Sequence, residues 1–168
     1  MDLLGQGSLS IRGPAMDIRA ADLPADLPIV RRLFRQYADS LGIDLEFQDF
    51  ETELTSLPGK YSPPRGCLLL AWDGDRAVGC VALRSIDENV CEMKRLYVDP
   101  AIRARGLGRR LAERIIQEAR VIGYRSMCLD TLSSMTSALR LYYDLGFRPI
   151  KPYVFNPIAG AIFLGLDL

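Results

Sequence analysis

The run from Glu92 to Arg110, Glu-Met-Lys-Arg-Leu-Tyr-Val-Asp-Pro-Ala-Ile-Arg-Ala-Arg-Gly-Leu-Gly-Arg-Arg, puts a carboxylate, a cluster of arginines and a pair of glycines in one short stretch. The backbone N–H groups of Gly106, Leu107 and Gly108, at the start of a helix, can converge on a phosphate, and the helix dipole adds to their field. Glycine lets such a ligand approach closely. Arg103, Arg105, Arg109 and Arg110 bracket the glycines, so guanidinium groups can hold a diphosphate and a further phosphate by charge-assisted hydrogen bonds. No Lys-Ser or Lys-Thr follows the second glycine, and the spacing falls short of the six-residue dinucleotide fingerprint, which argues against ATP and NAD. A plain helix N-terminus with surface arginines is the alternative.

The elements that must position this loop are legible on either side of it. Val90 to Val98 is apolar and β-branched enough for a strand, and Leu107, Leu111, Ile115, Ala119 and Ile122 recur at helical spacing. Upstream, the pattern predicts a strand near 16–20 and a helix capped by Asp26 that carries Ile29, Leu33, Tyr37 and Leu41 and ends at Gly42. A second helix should turn Phe47, Phe50, Leu54 and Leu57 inward, followed by breakers at Pro58-Gly59 and Pro63-Pro64. Strands near 67–72 and 77–84 are joined by the hairpin turn Asp73-Gly74-Asp75. A strand at 126–130, a helix at 134–145 and strands near 147–150 and 161–166 complete the chain. This order predicts an α/β fold, a mixed sheet with helices on both faces.

The pattern Arg103-x-x-Gly106-x-Gly108, preceded by Val98-Asp99-Pro100, resembles the acyl-coenzyme-A loop of the GCN5-related N-acetyltransferase (GNAT) superfamily. Downstream, Ala138-x-x-Leu141-Tyr142-x-x-x-Gly146-Phe147 is similar to the family's second coenzyme-side helix, and Leu129-Asp130-Thr131 ends the strand before it. Glu92 stands where many members carry a strand carboxylate. The resemblance covers about residues 77 to 150 and implies a GNAT-like, mostly antiparallel sheet flanked by helices on both faces. It also implies acetyl-CoA as cosubstrate. The coenzyme would be held by the loop Arg103, Ala104, Arg105, Gly106, Leu107, Gly108 and Arg109 and by the strand backbone of Leu96, Tyr97 and Val98. That last run breaks the polar alternation and can mark a bulge; packing of a core gives the same letters. Where many relatives carry an Asn three residues before the helix alanine, this chain has Met135, so Ser134 or Thr131 is left to contact the pantetheine.

Forming an amide from an acyl thioester needs a neutral amine, a stabilised oxyanion and a proton for the departing thiolate. The chain contains no histidine, so a carboxylate, a phenol or a water relay must move protons. Glu92 is the first candidate for the base. Alternation places it on one strand face with Lys94, opposite Cys91 and Met93, and an ion pair with Lys94 or another cation is its competing role. Tyr142 falls on the inner stripe of its helix with Met135, Ala138 and Leu145, and a buried phenol needs a partner. The resemblance makes that partner the coenzyme sulfur, with Tyr142 as the acid. A core tyrosine bonded to a carbonyl is the alternative.

The chain's 168 residues are 49% hydrophobic, enough for one sizeable core. We expect one domain over 16–168 and a flexible extension over 1–15. With 21 basic and 21 acidic residues the net charge is zero, which gives no electrostatic case for nucleic acid or an anionic membrane. Cys67, Cys80, Cys91 and Cys128 show no Cys-x-x-Cys spacing, so reduced core thiols are expected and no metal. No apolar stretch matches a membrane span and no signal peptide is recognisable, which points to the cytoplasm. The acidic run Asp44, Glu46, Asp49, Glu51 and Glu53 can attract a cationic acceptor, but reads more simply as the solvated face of a helix. Lys151, Tyr153 and Asn156 can instead recognise a carboxylate or carbonyl. The expected activity is transfer of an acetyl group from acetyl-CoA to a primary amine of a small molecule, directly in a ternary complex, by a monomer or homodimer. A protein or peptide N-acetyltransferase and a non-catalytic acyl-CoA sensor are the alternatives.

Overall fold

The computed structural model describes residues 16–102 and 105–168. The expected extension over 1–15 and the loop residues Arg103 and Ala104 lie outside the described residues. The chain runs β1 (Asp17–Ala20), α1 (Leu27–Leu41), α2 (Phe50–Ser56), β2 (Cys67–Asp73), β3 (Arg76–Ser85), β4 (Val90–Val98), α3 (Leu107–Ile122), β5 (Ser126–Leu132), α4 (Thr136–Asp144), β6 (Arg148–Pro149) and β7 (Ala161–Asp167). The strands form one seven-stranded sheet in the order β1-β2-β3-β4-β5-β7-β6. Every neighbouring pair is antiparallel except β4 and β5, where α3 makes the crossover that a parallel connection requires.

Helices cover both faces, as the periodicity predicts. On one face, Leu107, Leu111, Ile115 and Ala119 of α3, with Tyr142 of α4, pack on Val81, Leu83, Met93 and Met127. The side-chain-free Gly79 lets this layer close up: a Cβ there would stand 2.9 Å from the Tyr97 carbonyl oxygen and 3.1 Å from Leu111. On the other face, Val30, Leu33 and Phe34 of α1 and Phe50 and Leu54 of α2 pack on Leu68, Leu70, Cys80 and Ala82. The buried stripe of α1 is thus centred on Val30 and Phe34, while Ile29, Tyr37 and Leu41 from the expected stripe lie half-buried along its edge. The expected second helix is broken. A 3₁₀ turn at Glu46–Gln48 precedes α2, and Asp49 between them has φ 55°, a left-handed conformation that ends one helical segment before the next begins.

Two features of β4 position the site. Its pairing with β5 is limited to Val90–Ser126, Cys91–Met127 and Glu92–Cys128. Its register with β3 shifts by one residue between Cys80 and Ala82, opposite Arg95, whose φ is 60°. This is a β-bulge, one residue earlier than the Leu96-Tyr97-Val98 run suggests. Cys91 and Met93 before it, and Leu96 and Val98 after it, pack toward the α3 side, so the extra residue inverts the odd–even alternation. Beyond Glu92, β4 stays with β3 while β5 stays with β7 through seven residue pairs. The sheet therefore splits into two wings along a single seam.

Candidate active site

The seam opens into a cleft whose space, open mouths and adjoining solvent included, is about 720 Å³. Met93 to Leu96 form one wall and Leu129 to Leu132 the other. Tyr37, Leu41, Phe47 and Gln48 line its α1 side, and Met135, Ala138 and Tyr142 its α4 side. The cleft thus passes between the strands, and can admit one reactant from each face.

At the α4 side lies the glycine loop. Gly106 caps α3 with φ 69°, a conformation that disfavours other residues, and a Cβ built there meets nothing within 4 Å. Gly108 in the first helical turn is also clear, its nearest neighbour being Val98 at 3.8 Å. The first N–H groups of a helix have no partner within it, so the amides of Leu107, Gly108 and Arg109 are the groups that can donate to a diphosphate. The Leu107 side chain is core and only its amide can serve a ligand. Arg105 is exposed. Arg109 donates to Glu113 at 3.0 Å and lies 4.0 Å from Asp144, and Arg110 turns away to the Met16 carbonyl.

Tyr142 is 7% exposed and its ring meets Phe147 edge-on at 5.7 Å. Among the described residues, no side chain or carbonyl accepts its hydroxyl hydrogen, and burial raises its pKa. The neighbouring Tyr143 is exposed. Of the strand residues expected at the coenzyme, Leu96 lines the cleft, whereas the Tyr97 side chain packs into the α1-side core and that of Val98 into the α3-side core. Thr131 lines the cleft and its hydroxyl meets the Met135 sulfur at 3.7 Å. Ser134 is exposed outside it.

Glu92 is fully buried, and both its oxygens are engaged. Arg84 Nε donates to Oε1 at 2.7 Å and the Tyr153 hydroxyl donates to Oε2 at 2.6 Å. Arg84 is its cross-strand partner in the β3–β4 register, so the cation beside Glu92 is Arg84 and not Lys94. Glu92 is not among the cleft-lining side chains. Lys94 and Asp130 are. Lys94 donates to Gln48 Oε1 at 3.3 Å, and Asn156 Nδ2 donates to Asp130 Oδ2 at 3.0 Å. Of the loop residues considered for the acceptor, Asn156 reaches the cleft, Tyr153 is bound to Glu92, and Lys151 is exposed. The acidic run is solvated at Asp44, Glu46, Asp49 and Glu51, but Glu53 turns inward to Arg95 at 3.0 Å. Gln48 carries no signal in the sequence, and Asp130 is visible there only within the strand end Leu129-Asp130-Thr131; its place beside Lys94 follows from the Glu92–Cys128 register.

Comparison with known proteins places this architecture. An N-acetyltransferase of Schizosaccharomyces pombe, otherwise uncharacterized, is 41% identical over 155 residues, 91% of this chain and 95% of its own length. The N-acetylaspartate synthetase of Danio rerio is 31% identical over 119 residues, 68% of this chain and 42% of its own. The solved structure of a Salmonella typhimurium acetyltransferase with its cofactor acetyl-CoA superposes with a TM-score of 0.64 at 25% identity, covering 91% of this chain and 94% of the other. The sequence profile of the acetyltransferase (GNAT) family matches residues 29–147, and with these relatives it shows that the chain is an N-acetyltransferase belonging to the GNAT family.

Proposed function

We propose that the protein transfers the acetyl group of acetyl-CoA directly to a primary amine of a small molecule, both bound at once in the cleft between β4 and β5. The observation that carries this reading is the parting of the two strands, which makes a passage between the two faces of the sheet. The open amides at the start of α3 and the exposed Arg105 suit the coenzyme's diphosphate. The thioester arm then enters from the α4 side, with the Leu96 backbone at the bulge facing the carbonyl and Thr131 beside the arm. The amine enters from the α1 side. Its nitrogen attacks the carbonyl carbon, the C–S bond breaks, and Tyr142 gives its proton to the departing thiolate. A free thiol has a pKa of about 8.5 and a phenol about 10; burial raises that of Tyr142 further, which keeps the phenol protonated until the thiolate forms.

The two roles open to Glu92 are served unequally. With both oxygens engaged by Arg84 and Tyr153, it is proposed as the anchor of that cluster under the cleft rather than as the base. A small acceptor is supported by a relative whose name states that it makes N-acetylaspartate. Every wall comes from one chain, so a monomer suffices. Four free cysteines suit a reducing compartment, and the cytoplasm is the proposed location. The test is a two-substrate rate study, with acetyl-CoA and amine varied together and thiol release as the signal. Direct transfer gives intersecting reciprocal lines; parallel lines and an acetylated protein would overturn it.

A further inference from the structure

Two opposite charges face the cleft without an ionic partner. Lys94 of β4 is 9% exposed and Asp130 of β5 is half-buried. Among the described residues neither joins an ion pair. Each is steadied by a neutral amide of the cleft lining, Lys94 by Gln48 and Asp130 by Asn156. An amide fixes the direction of a charged group without cancelling its charge.

The placement of the two follows from the seam. Glu92 and Cys128 are the last paired residues of β4 and β5. Lys94 and Asp130 stand two positions further on each strand, hence on one face, the α1 side from which the acceptor would come. A buried charge without a counter-charge is costly. Burial lowers the Lys94 pKa, as do Arg95 and Arg84, while the carboxylates of Glu92 and Asp130 raise it from beyond ion-pair distance; an incoming anion in direct contact would stabilise the ammonium further.

Resting on the acetyltransferase reading above, we propose that Lys94 and Asp130 form a bipolar subsite for an amino-acid-like acceptor, its carboxylate on Lys94 and its amine on Asp130. Asp130 also receives the first proton of the ammonium group. The freed lone pair then forms the C–N bond as the C–S bond breaks. Of the two protons the nitrogen sheds, one leaves through Asp130 to water. The other restores to Tyr142 the proton given to the thiolate. No oxidant or metal enters this balance.

The test uses the full chain and acetyl-CoA, with a panel of L-amino acids and the matching L-amino-acid amides, read by thiol release. One charge-assisted hydrogen bond is worth about 1.5–3 kcal/mol, so the best amino acid should exceed its amide in kcat/KM by about 10- to 100-fold. Lys94→Met should bring that ratio to within about threefold while acetyl-CoA affinity, measured by calorimetry, stays the same. Asp130→Asn should lower kcat by about 100-fold, and its remaining rate should rise with pH as the free-amine fraction does, a dependence that a purely structural loss would not produce. Amides used as well as acids, a ratio untouched by Lys94→Met, or acetyl-CoA binding with no amino acid acetylated would each overturn the subsite. Failure of acetyl-CoA to bind would instead overturn the reading on which it rests.

Discussion

The guanidinium of Arg95 meets the carboxylate of Glu53 beneath α2, Nε to Oε2 at 3.0 Å and Nη2 to Oε1 at 3.3 Å. Arg95 is the residue at the bulge, so the contact ties the point where the seam opens to the helix that roofs it. The Tyr61 hydroxyl donates to the same carboxylate at 2.7 Å, and the rings of Tyr37 and Phe50 lie 5.5 and 5.1 Å from the guanidinium.

Removing the arginine leaves a largely buried carboxylate uncompensated. Arg95→Met should therefore cost about 3–5 kcal/mol of stability, and Glu53→Gln, which keeps a hydrogen-bonding group, about 1–3 kcal/mol. Urea unfolding of both variants checks this. A loss below about 1 kcal/mol for Arg95→Met would show that the pair does not hold α2 on the sheet.

For Glu92 the anchoring role predicts a stability effect in place of a large rate effect. Glu92→Gln should lose about 1–3 kcal/mol, because Arg84 keeps an acceptor but no counter-charge, and Tyr153→Phe should lose about 1 kcal/mol. Turnover measured well below the melting transition should fall less than about tenfold. A fall of 100-fold or more with stability unchanged, the size expected for loss of a general base, would return Glu92 to that role.

Tyr142→Phe separates the acid from a core tyrosine. With no protein partner for the hydroxyl among the described residues, the substitution should leave stability within about 0.5 kcal/mol. It should also keep acetyl-CoA affinity and lower kcat by about 100-fold or more. A stability loss of about 1 kcal/mol with an unchanged rate is the outcome of a packed, carbonyl-bonded tyrosine.

The thiols offer a check on the cores. Burial pushes Cys67 and Cys128 up to about 11, and Cys80 and Cys91 to about 12. Thiolate is the reactive form, so at about pH 8 the folded chain should give almost no signal with a disulfide reagent, while the unfolded chain gives its full count of thiols. An unfolded thiol titrates near 8.5. The folded values lie above it, so this contribution to stability is complete below about pH 8.5 and is lost as the pH climbs through 11 to 12. Rapid labelling of the native protein at about pH 8 would contradict the burial of these residues.

Much of the frame was legible in the sequence because it rests on local patterns. Leu107, Leu111, Ile115 and Ala119 at helical spacing are the buried stripe of α3, and the Asp73-Gly74-Asp75 turn joins β2 and β3 as its chemistry requires. The glycine loop was readable for the same reason, since cap, helix and strand follow one another directly. What could not be read depends on pairing between distant strands. Arg84 reaches Glu92 only because the β3–β4 register sets them opposite, and Lys94 and Asp130 become a pair only because β4 and β5 stop pairing two residues earlier. The break at Asp49 has no sequence signature, because the apolar spacing of Phe47, Phe50 and Leu54 is continuous across it. The last hairpin was overestimated, since Pro149 and Pro152 leave β6 two residues long.

Calorimetric titration with acetyl-CoA of the native chain beside Gly108→Glu asks whether the coenzyme binds through the glycine loop at the start of α3. A glutamate in the first turn is favourable to the helix dipole, and a Cβ at this position meets no atom closer than Val98 at 3.8 Å, so the variant should fold as stably as the native chain. It places a negative charge where the diphosphate would sit. We predict binding to the native protein, weakened about tenfold or more in the variant, a cost of at least about 1.4 kcal/mol. Equal affinity in the two, or no binding to the native chain, would mean that this loop does not hold the coenzyme.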